Sequence, residues 1–204
     1  MTNKIKKRYN RVAKFYDIFD KPMEMALSKW REKLLSGVKG KVLEVGIGTG
    51  KNIPYYPDNV ELTGIDFSPK MVEIARKKAK NKSNIRILEM DAENMNFKDN
   101  TFDSVVTSCV FCSVPDPVQG LKEIKRVCKN GGKIVMLEHV RSHKKVVGPL
   151  MDVFNFMPLH LYGANINRET YQNLLNAGFK PKQIEVENVW LDILKIIRII
   201  NNKQ

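Results

Sequence analysis

The chain predicts an α/β fold: a doubly wound, mostly parallel seven-stranded sheet that ends in an antiparallel hairpin. Three observations predict it. Between residues 41 and 140, short apolar runs alternate with helix-like stretches, as in a parallel sheet covered on both faces. The last two apolar runs, 184–190 and 194–200, are only a few residues apart. A parallel crossover needs about a dozen residues or more, so these two runs pair antiparallel. Finally, the first run empties into Gly46-Ile47-Gly48-Thr49-Gly50. Glycines at that strand tip let backbone approach a ligand with no Cβ in the way.

The first 36 residues read as a helical cap on a domain of residues 37–204. Leu27, Trp30, Leu34 and Leu35 share a helix face, and Ser36-Gly37 ends the run. Ahead of them lies a short aromatic segment, Val12-Ala13-Lys14-Phe15-Tyr16-Asp17. Residues 41–45 form the first strand, and Pro54 starts a short helix after Asn52. Residues 61–65 form the second strand. Ser68-Pro69 caps and opens a helix over 70–80. Strands follow at 85–90 and 104–110. Asp116-Pro117 opens a helix through Cys128 that Asn130-Gly131-Gly132 closes, and the fifth strand covers 133–140. After an irregular stretch, a helix over 168–176 ends at Ala177-Gly178-Phe179, ahead of the hairpin.

At 204 residues the chain is expected to form one domain with a sizeable core. No apolar run approaches the roughly 18 residues of a spanning helix. The basic start, Met1 to Arg11, is not followed by an apolar stretch, so no secretory signal is expected. Three cysteines are too few for a disulfide framework, and reduced cytosol is the expected compartment. Net charge is +13. The basic residues gather loosely at 4–11, 76–82, 122–133 and 141–145 rather than in one block. Two readings stay open: residue usage spread over the whole chain, or peripheral contact with an anionic membrane. Nucleic acid is disfavoured.

The loop's spacing selects the ligand. A dinucleotide fingerprint is G-x-G-x-x-G, but here Lys51 stands at the last position and the third glycine comes one residue early. No G-x-x-x-x-G-K-[ST] phosphate loop occurs. Asp66, at the end of the second strand, suits ribose hydroxyls. The pattern Glu44-x-Gly46-x-Gly48-x-Gly50 with that acid resembles motif I of the class I S-adenosylmethionine (AdoMet)-dependent methyltransferases. Their Rossmann-like fold ends in the same antiparallel hairpin. Strand ends deliver the cofactor candidates: Glu44, Gly46, Gly48, Thr49 and Gly50; Asp66, Phe67 and Ser68; Asp91 and Ala92; Ser108 and Cys109. Carried over by position, the resemblance implies that Thr49, Asp66, Asp91, Ala92 and Ser108 contact AdoMet.

Further stretches narrow the resemblance. Asp91-Ala92-Glu93-Asn94-Met95-Asn96-Phe97 and Glu123-Ile124-Lys125-Arg126-Val127-Cys128-Lys129-Asn130-Gly131-Gly132 are similar to ubiquinone and menaquinone biosynthesis methyltransferases. Asn130 stands where proline is usual. Residues 137–142 and 167–170 look more like bacterial phosphatidylethanolamine N-methyltransferases, as do Val12 to Asp17 and Asn52 to Pro57. Cys112-Ser113-Val114 and Glu138-His139-Val140 are similar to methyltransferase-like thiol S-methyltransferases.

AdoMet is primed to lose its methyl group, so the protein's task is positioning. Tyr16, near the N-terminus, and His139, at the end of the fifth strand, are the catalytic candidates, with Glu138 and His160 behind them. Cys109-Val110-Phe111-Cys112 lacks the further ligands that zinc needs, so no metal is expected. The base-amine methyltransferase signature [ND]-P-P-[YF] is absent after the fourth strand. Residues 146–162 are rich in Val, Leu, Phe and Met, with basic residues ahead of them. They read as a lid that also walls a small, hydrophobic acceptor, and as a surface that could dip into a bilayer. The expected function is methyl transfer to a phospholipid amine or a quinone precursor, with a small thiol as alternative. From other classes, an NAD(P)-dependent oxidoreductase and a non-catalytic AdoMet-binding subunit stay open.

Overall fold

The structure is a computed structural model and describes residues 5–11, 13, 21–156 and 164–203, with the backbone alone for 21–27. Residues 5–11 are helical. Then follow α1 (Lys21–Leu35), β1 (Lys41–Val45), a 3-10 turn (Ile53–Tyr55), β2 (Glu61–Asp66) and α2 (Pro69–Ala79). Next come β3 (Ile85–Glu89), β4 (Phe102–Ser108), α3 (Pro117–Val127), β5 (Cys128–His139) and α4 (Val147–Phe154). The chain ends in α5 (Thr170–Asn176), β6 (Ile184–Trp190) and β7 (Leu194–Asn201).

The seven strands form one sheet in the order β3-β2-β1-β4-β5-β7-β6. The first five are parallel, and β7 runs antiparallel to both β5 and β6. Side-chain alternation splits the sheet's apolar residues between two cores. Leu43, Val105, Ile134 and Ile197 pack with Leu121, Ile124, Val127 and Leu174 of α3 and α5. Val42, Leu62, Val106, Val135 and Ile196 pack with Leu34, Leu35, Val72 and Ala75 of α1 and α2. Both helix starts read from the sequence carry caps. Ser68 Oγ accepts from the Met71 N–H at 3.3 Å, and Asp116 Oδ1 accepts from the Gln119 N–H at 3.0 Å.

Two expected boundaries move. The helix α3 stops at Val127, and Asn130-Gly131-Gly132 lies inside β5 rather than closing a helix. Cys128 already pairs with Phe102, and the register slips before Ser104 pairs with Lys133. Close packing draws this turn into the sheet: a Cβ on Gly132 would stand 2.8 Å from Cys128 Sγ and 3.0 Å from the Asp103 carbonyl. The strand β4 ends at Ser108, two residues early, because Cys109 takes a left-handed φ of 55°.

The hairpin returns β7 into the sheet between β5 and β6, through a turn in which Leu191 and Asp192 both have positive φ. That conformation matches the right-handed twist of paired strands, although neither residue is glycine. At the far end of β7, the buried Asn201 Nδ2 donates to the carbonyls of Lys125, Cys128 and Lys129. It thereby fastens the last strand to the end of α3 and the start of β5. Asn201→Ala strips three carbonyls, one of them in a fully buried bond, of a donor and is expected to cost about 1–3 kcal/mol. The midpoint of urea unfolding measures this, with an unchanged midpoint as the contrary result.

Candidate active site

The tips of β1, β2, β4 and β5 surround a cavity of about 380 Å³. At the end of β1 the chain turns sharply, because Gly46 and Ile47 both donate to the Ile65 carbonyl, at 2.8 and 2.9 Å. Gly46 has φ +70°, and a Cβ there would collide with the Val110 side chain. A Cβ on Gly48, at φ +57°, would instead meet no atom within 4 Å. Gly48 and Thr49 line the cavity. Gly50 does not. It lies against α2, where a Cβ would stand 2.6 Å from Ile53 Cδ1 and 3.4 Å from the Ala75 backbone. Its smallness serves packing of the loop on the helix.

Asp66 ends β2 with its carboxylate almost wholly buried, and it lines the cavity. Oδ2 accepts from the Gly48 N–H at 3.0 Å, and Oδ1 from the Ser68 N–H at 2.9 Å. Burial raises its pKa to about 6, against the lowering effect of these backbone donors. Phe67 faces the cavity, whereas Ser68 is fully buried as the α2 cap and also bonds Asn10 Oδ1 at 2.7 Å. Ser68 thus ties the helix start to the N-terminal stretch.

Glu44 lines the cavity from within β1, but both its oxygens serve the chain itself. Oε1 accepts from Asn52 Nδ2 at 2.7 Å and Oε2 from Tyr56 OH at 3.0 Å. Burial raises its pKa to about 7. Arg31, on α1 and 5% exposed, donates to Asn52 Oδ1 and lies 3.4 Å from Ser108 Oγ. A guanidinium is thus built into the wall beside the glycine loop. At the end of β3, Met90 and Ala92 line the cavity, but Asp91 does not. Its Oδ1 accepts from the Glu93 N–H at 3.0 Å, closing a tight turn.

Ser108 and Cys109 line the cavity at the end of β4. The turn beyond them is held by Glu138, whose Oε1 accepts from Thr107 Oγ1 at 2.7 Å and the Val110 N–H at 3.3 Å. Oε2 accepts from the Phe111 N–H at 3.2 Å. Fully buried, with its pKa raised to about 7, Glu138 organises this loop and is not among the cavity-lining residues. His139, the next residue, does face the cavity. Burial lowers its pKa, and its Nδ1 is a buried atom with no hydrogen-bond partner among the described residues. The three cysteines are free thiols.

Tyr16 and His160 lie outside the described residues. A different N-terminal tyrosine reaches the site. Tyr9 OH and Ser113 Oγ share a hydrogen bond at 2.5 Å, the Tyr9 ring stands edge-on to Phe67, and burial pushes the phenol well above its ordinary range. The helical stretch 5–11 therefore crosses the strand tips, fixed there by Tyr9, by Asn10 and by an ion pair from Lys6 to Glu89. Sequence reading missed Tyr9 because its neighbours register only as charge. Arg31 did leave a signal: it falls four after Leu27 and three before Leu34, a cation on an otherwise apolar helix face.

Comparison with known proteins agrees with this arrangement. A family model described as a methyltransferase domain matches residues 43–136. A ubiquinone/menaquinone biosynthesis C-methyltransferase of Citrifermentans bemidjiense is 33% identical over 90% of this chain and 83% of its own length. The phosphatidylethanolamine N-methyltransferase of Cereibacter sphaeroides is 42% identical over 117 residues, 56% of this chain, and the match spans 56% of that enzyme's length. Among solved structures, a putative S-adenosyl-L-methionine-dependent methyltransferase of Methanococcus maripaludis aligns with a TM-score of 0.69. That alignment covers 98% of this chain and 94% of the other at 21% identity, a likeness of fold. The family displaces the oxidoreductase and non-catalytic readings: with its glycine loop, acid-tipped second strand and inserted antiparallel β7, the chain belongs to the class I AdoMet-dependent methyltransferases.

Proposed function

We propose that this methyltransferase acts on a hydrophobic acceptor, a phospholipid amine in the first instance and a quinone precursor in the second. The observation that carries this reading is the cavity wall on the β4 and β5 side. Val110, Cys112, Val114, Ala164 and Ile166 line it, and His139 stands at its edge. The names of the two curated relatives support the same pair of acceptors.

The cavity's other half suits AdoMet. Its volume lies within the usual range for small-molecule sites. The empty space in front of Gly48 admits a ligand against the backbone. Gly48, Thr49, Asp66 and Arg31 would hold AdoMet there, and its sulfonium would supply a methyl group already activated for transfer. Asp66 keeps unused lone pairs for the two ribose hydroxyls. Arg31 gives the amino-acid carboxylate a cation that burial makes stronger than it would be in water. Thr49 and Ser108 add hydroxyls at the same end. The Tyr9 stretch and the wall around Ile166 exclude water and hold the acceptor in line.

An ammonium acceptor must lose a proton before or during transfer. His139 lines the acceptor side of the cavity and burial keeps its ring neutral, so it is the group placed to take that proton.

Three measurements test these roles. Labelled-methyl transfer to detergent-dispersed phosphatidylethanolamine, a demethylated quinone and a small thiol is expected to label the lipid amine. Label confined to the thiol would refute the acceptor class. Asp66→Ala is expected to raise the AdoMet Kd at least roughly tenfold, since a hydrogen bond to a charged group is worth about 1.5–3 kcal/mol. In the wild type, calorimetry should show AdoMet binding weakening as pH falls through about 6, where Asp66 gains its proton. The variant should lose this dependence, and an unchanged dependence would refute the role. At saturating AdoMet, His139→Gln should lower kcat by roughly a hundredfold or more. The wild type should keep its rate to below the ordinary histidine pKa, because only the neutral ring accepts a proton. A variant with full kcat removes His139 from the chemistry.

A further inference from the structure

The outer face of α4 inverts the usual pattern of a surface helix. Its buried residues are Gly148 and Met151, and its one charge, Asp152, is engaged by Arg141 at 2.8 Å and Asn167 at 3.0 Å. Leu150, Val153 and Phe154, at i, i+3 and i+4, point outward with Val146 one turn before them. The helix is seated firmly. Gly148 lies so close to the Ser142 carbonyl that any Cβ would collide with it, and the Gly148 N–H bonds the Lys144 carbonyl at 3.1 Å. The β6–β7 turn adjoins this face. Asp192 Oδ2 accepts from Ser142 Oγ at 3.2 Å and the His143 N–H at 3.0 Å, which brings Trp190 and Leu191 alongside. All six apolar residues are between 49% and 68% exposed.

Charge rims the same face. Lys144 and Lys145 are exposed and make no ion pair among the described residues. The nearby acids are neutralised in place, Asp152 by Arg141 and Asp192 by Lys195 at 2.9 Å. The face is also tied to the cavity. Asn155, which ends α4, accepts from the Ile166 N–H at 2.8 Å, and Ile166 lines the acceptor wall.

We propose that Val146, Leu150, Val153, Phe154, Trp190 and Leu191, edged by Lys144 and Lys145, dock this protein on the surface of an anionic lipid bilayer. Apolar side chains enter the boundary between headgroups and acyl chains while lysines meet anionic headgroups, and two such weak contributions together give stable but reversible binding. Trp190 at the turn is suited to that boundary, being apolar in body with a polar N–H. Docking there would bring the acceptor wall to the leaflet. In that sense the surface serves the lipid-acceptor reading above.

Co-sedimentation of the full-length protein with phosphatidylcholine vesicles, with and without phosphatidylglycerol, tests it. Neither lipid offers an amine to methylate. Binding is expected to the anionic vesicles and to weaken with salt. Leu150→Asp with Val153→Asp should lower the partition coefficient roughly tenfold or more. Lys144→Glu with Lys145→Glu should lower it roughly fivefold or more per lysine and flatten the salt dependence. An unchanged AdoMet Kd establishes that each variant is folded. The proposal is overturned if both variants bind like the wild type or if no vesicle is bound. It is equally overturned if the apolar variant only splits a dimer on a sizing column. Methylation of a detergent-dispersed lipid without vesicle binding would sink the surface and spare the acceptor reading; vesicle binding without methylation of any lipid would do the reverse.

Discussion

A carboxylate buried at a strand tip must find donors, and three of them shape the whole catalytic end of this sheet. Glu44 takes Asn52 and Tyr56, Asp66 takes the Gly48 and Ser68 amides, and Glu138 takes Thr107 with the Val110 and Phe111 amides. Each acid joins its own strand to a loop after that strand or a neighbouring one. Leaving such a group unpaired costs far more than pairing it gains, so the loops have little freedom. Burial also raises all three acids, to about 7, 6 and 7. The folded chain therefore holds these protons more tightly than the unfolded chain does. Their contribution to stability falls as pH rises from the ordinary carboxylate range toward 7. The site's preorganisation is maintained against that cost.

The three acids differ in what they leave available. Glu138 lies off the cavity with three donors, whereas Glu44 and Asp66 both line it, each oxygen taking one donor from the chain, and Asp66 does so at the very tip of its strand. One consequence is a division of labour between the two ends of the cavity. The β1 and β2 end is polar, with Asp66, Thr49 and the Arg31 guanidinium. The β4 and β5 end is apolar apart from Ser108, His139 and the Tyr9–Ser113 pair. The strands supply the first end directly. The second end depends on segments distant in the chain, since the Asn165 N–H bonds the Cys112 carbonyl at 2.8 Å and Arg168 donates to the Val114 carbonyl at 2.7 Å.

The apolar end continues outward into α4. A helix in a soluble domain commonly turns its apolar stripe inward. Here Gly148 and Met151 satisfy the inward contact with little surface, and the larger side chains are left outside. Among the described residues, no helix is long and apolar enough to cross a membrane.

Fold and donor site were legible in the chain to different depths. Strand alternation, the Ser68-Pro69 and Asp116-Pro117 helix starts and the closeness of 184–190 to 194–200 are local signals, and the sheet, caps and hairpin follow from them. The glycine loop with Asp66 likewise identified the donor, because positive φ and close approach are demands on single residues. What stayed hidden depended on distance in space. That Gly50 packs on Ala75 and that Ser68 also meets Asn10 follow from which neighbours arrive there. So does the slot taken by β7, between β5 and β6. By itself the sequence determined the sheet's class and its nucleoside-binding tip, since glycine and acid act through their own backbone and charge. Only the tertiary structure decided the wall of the cavity, because Tyr9, Arg31, His139 and Ile166 meet there through packing of segments that no spacing in the chain relates.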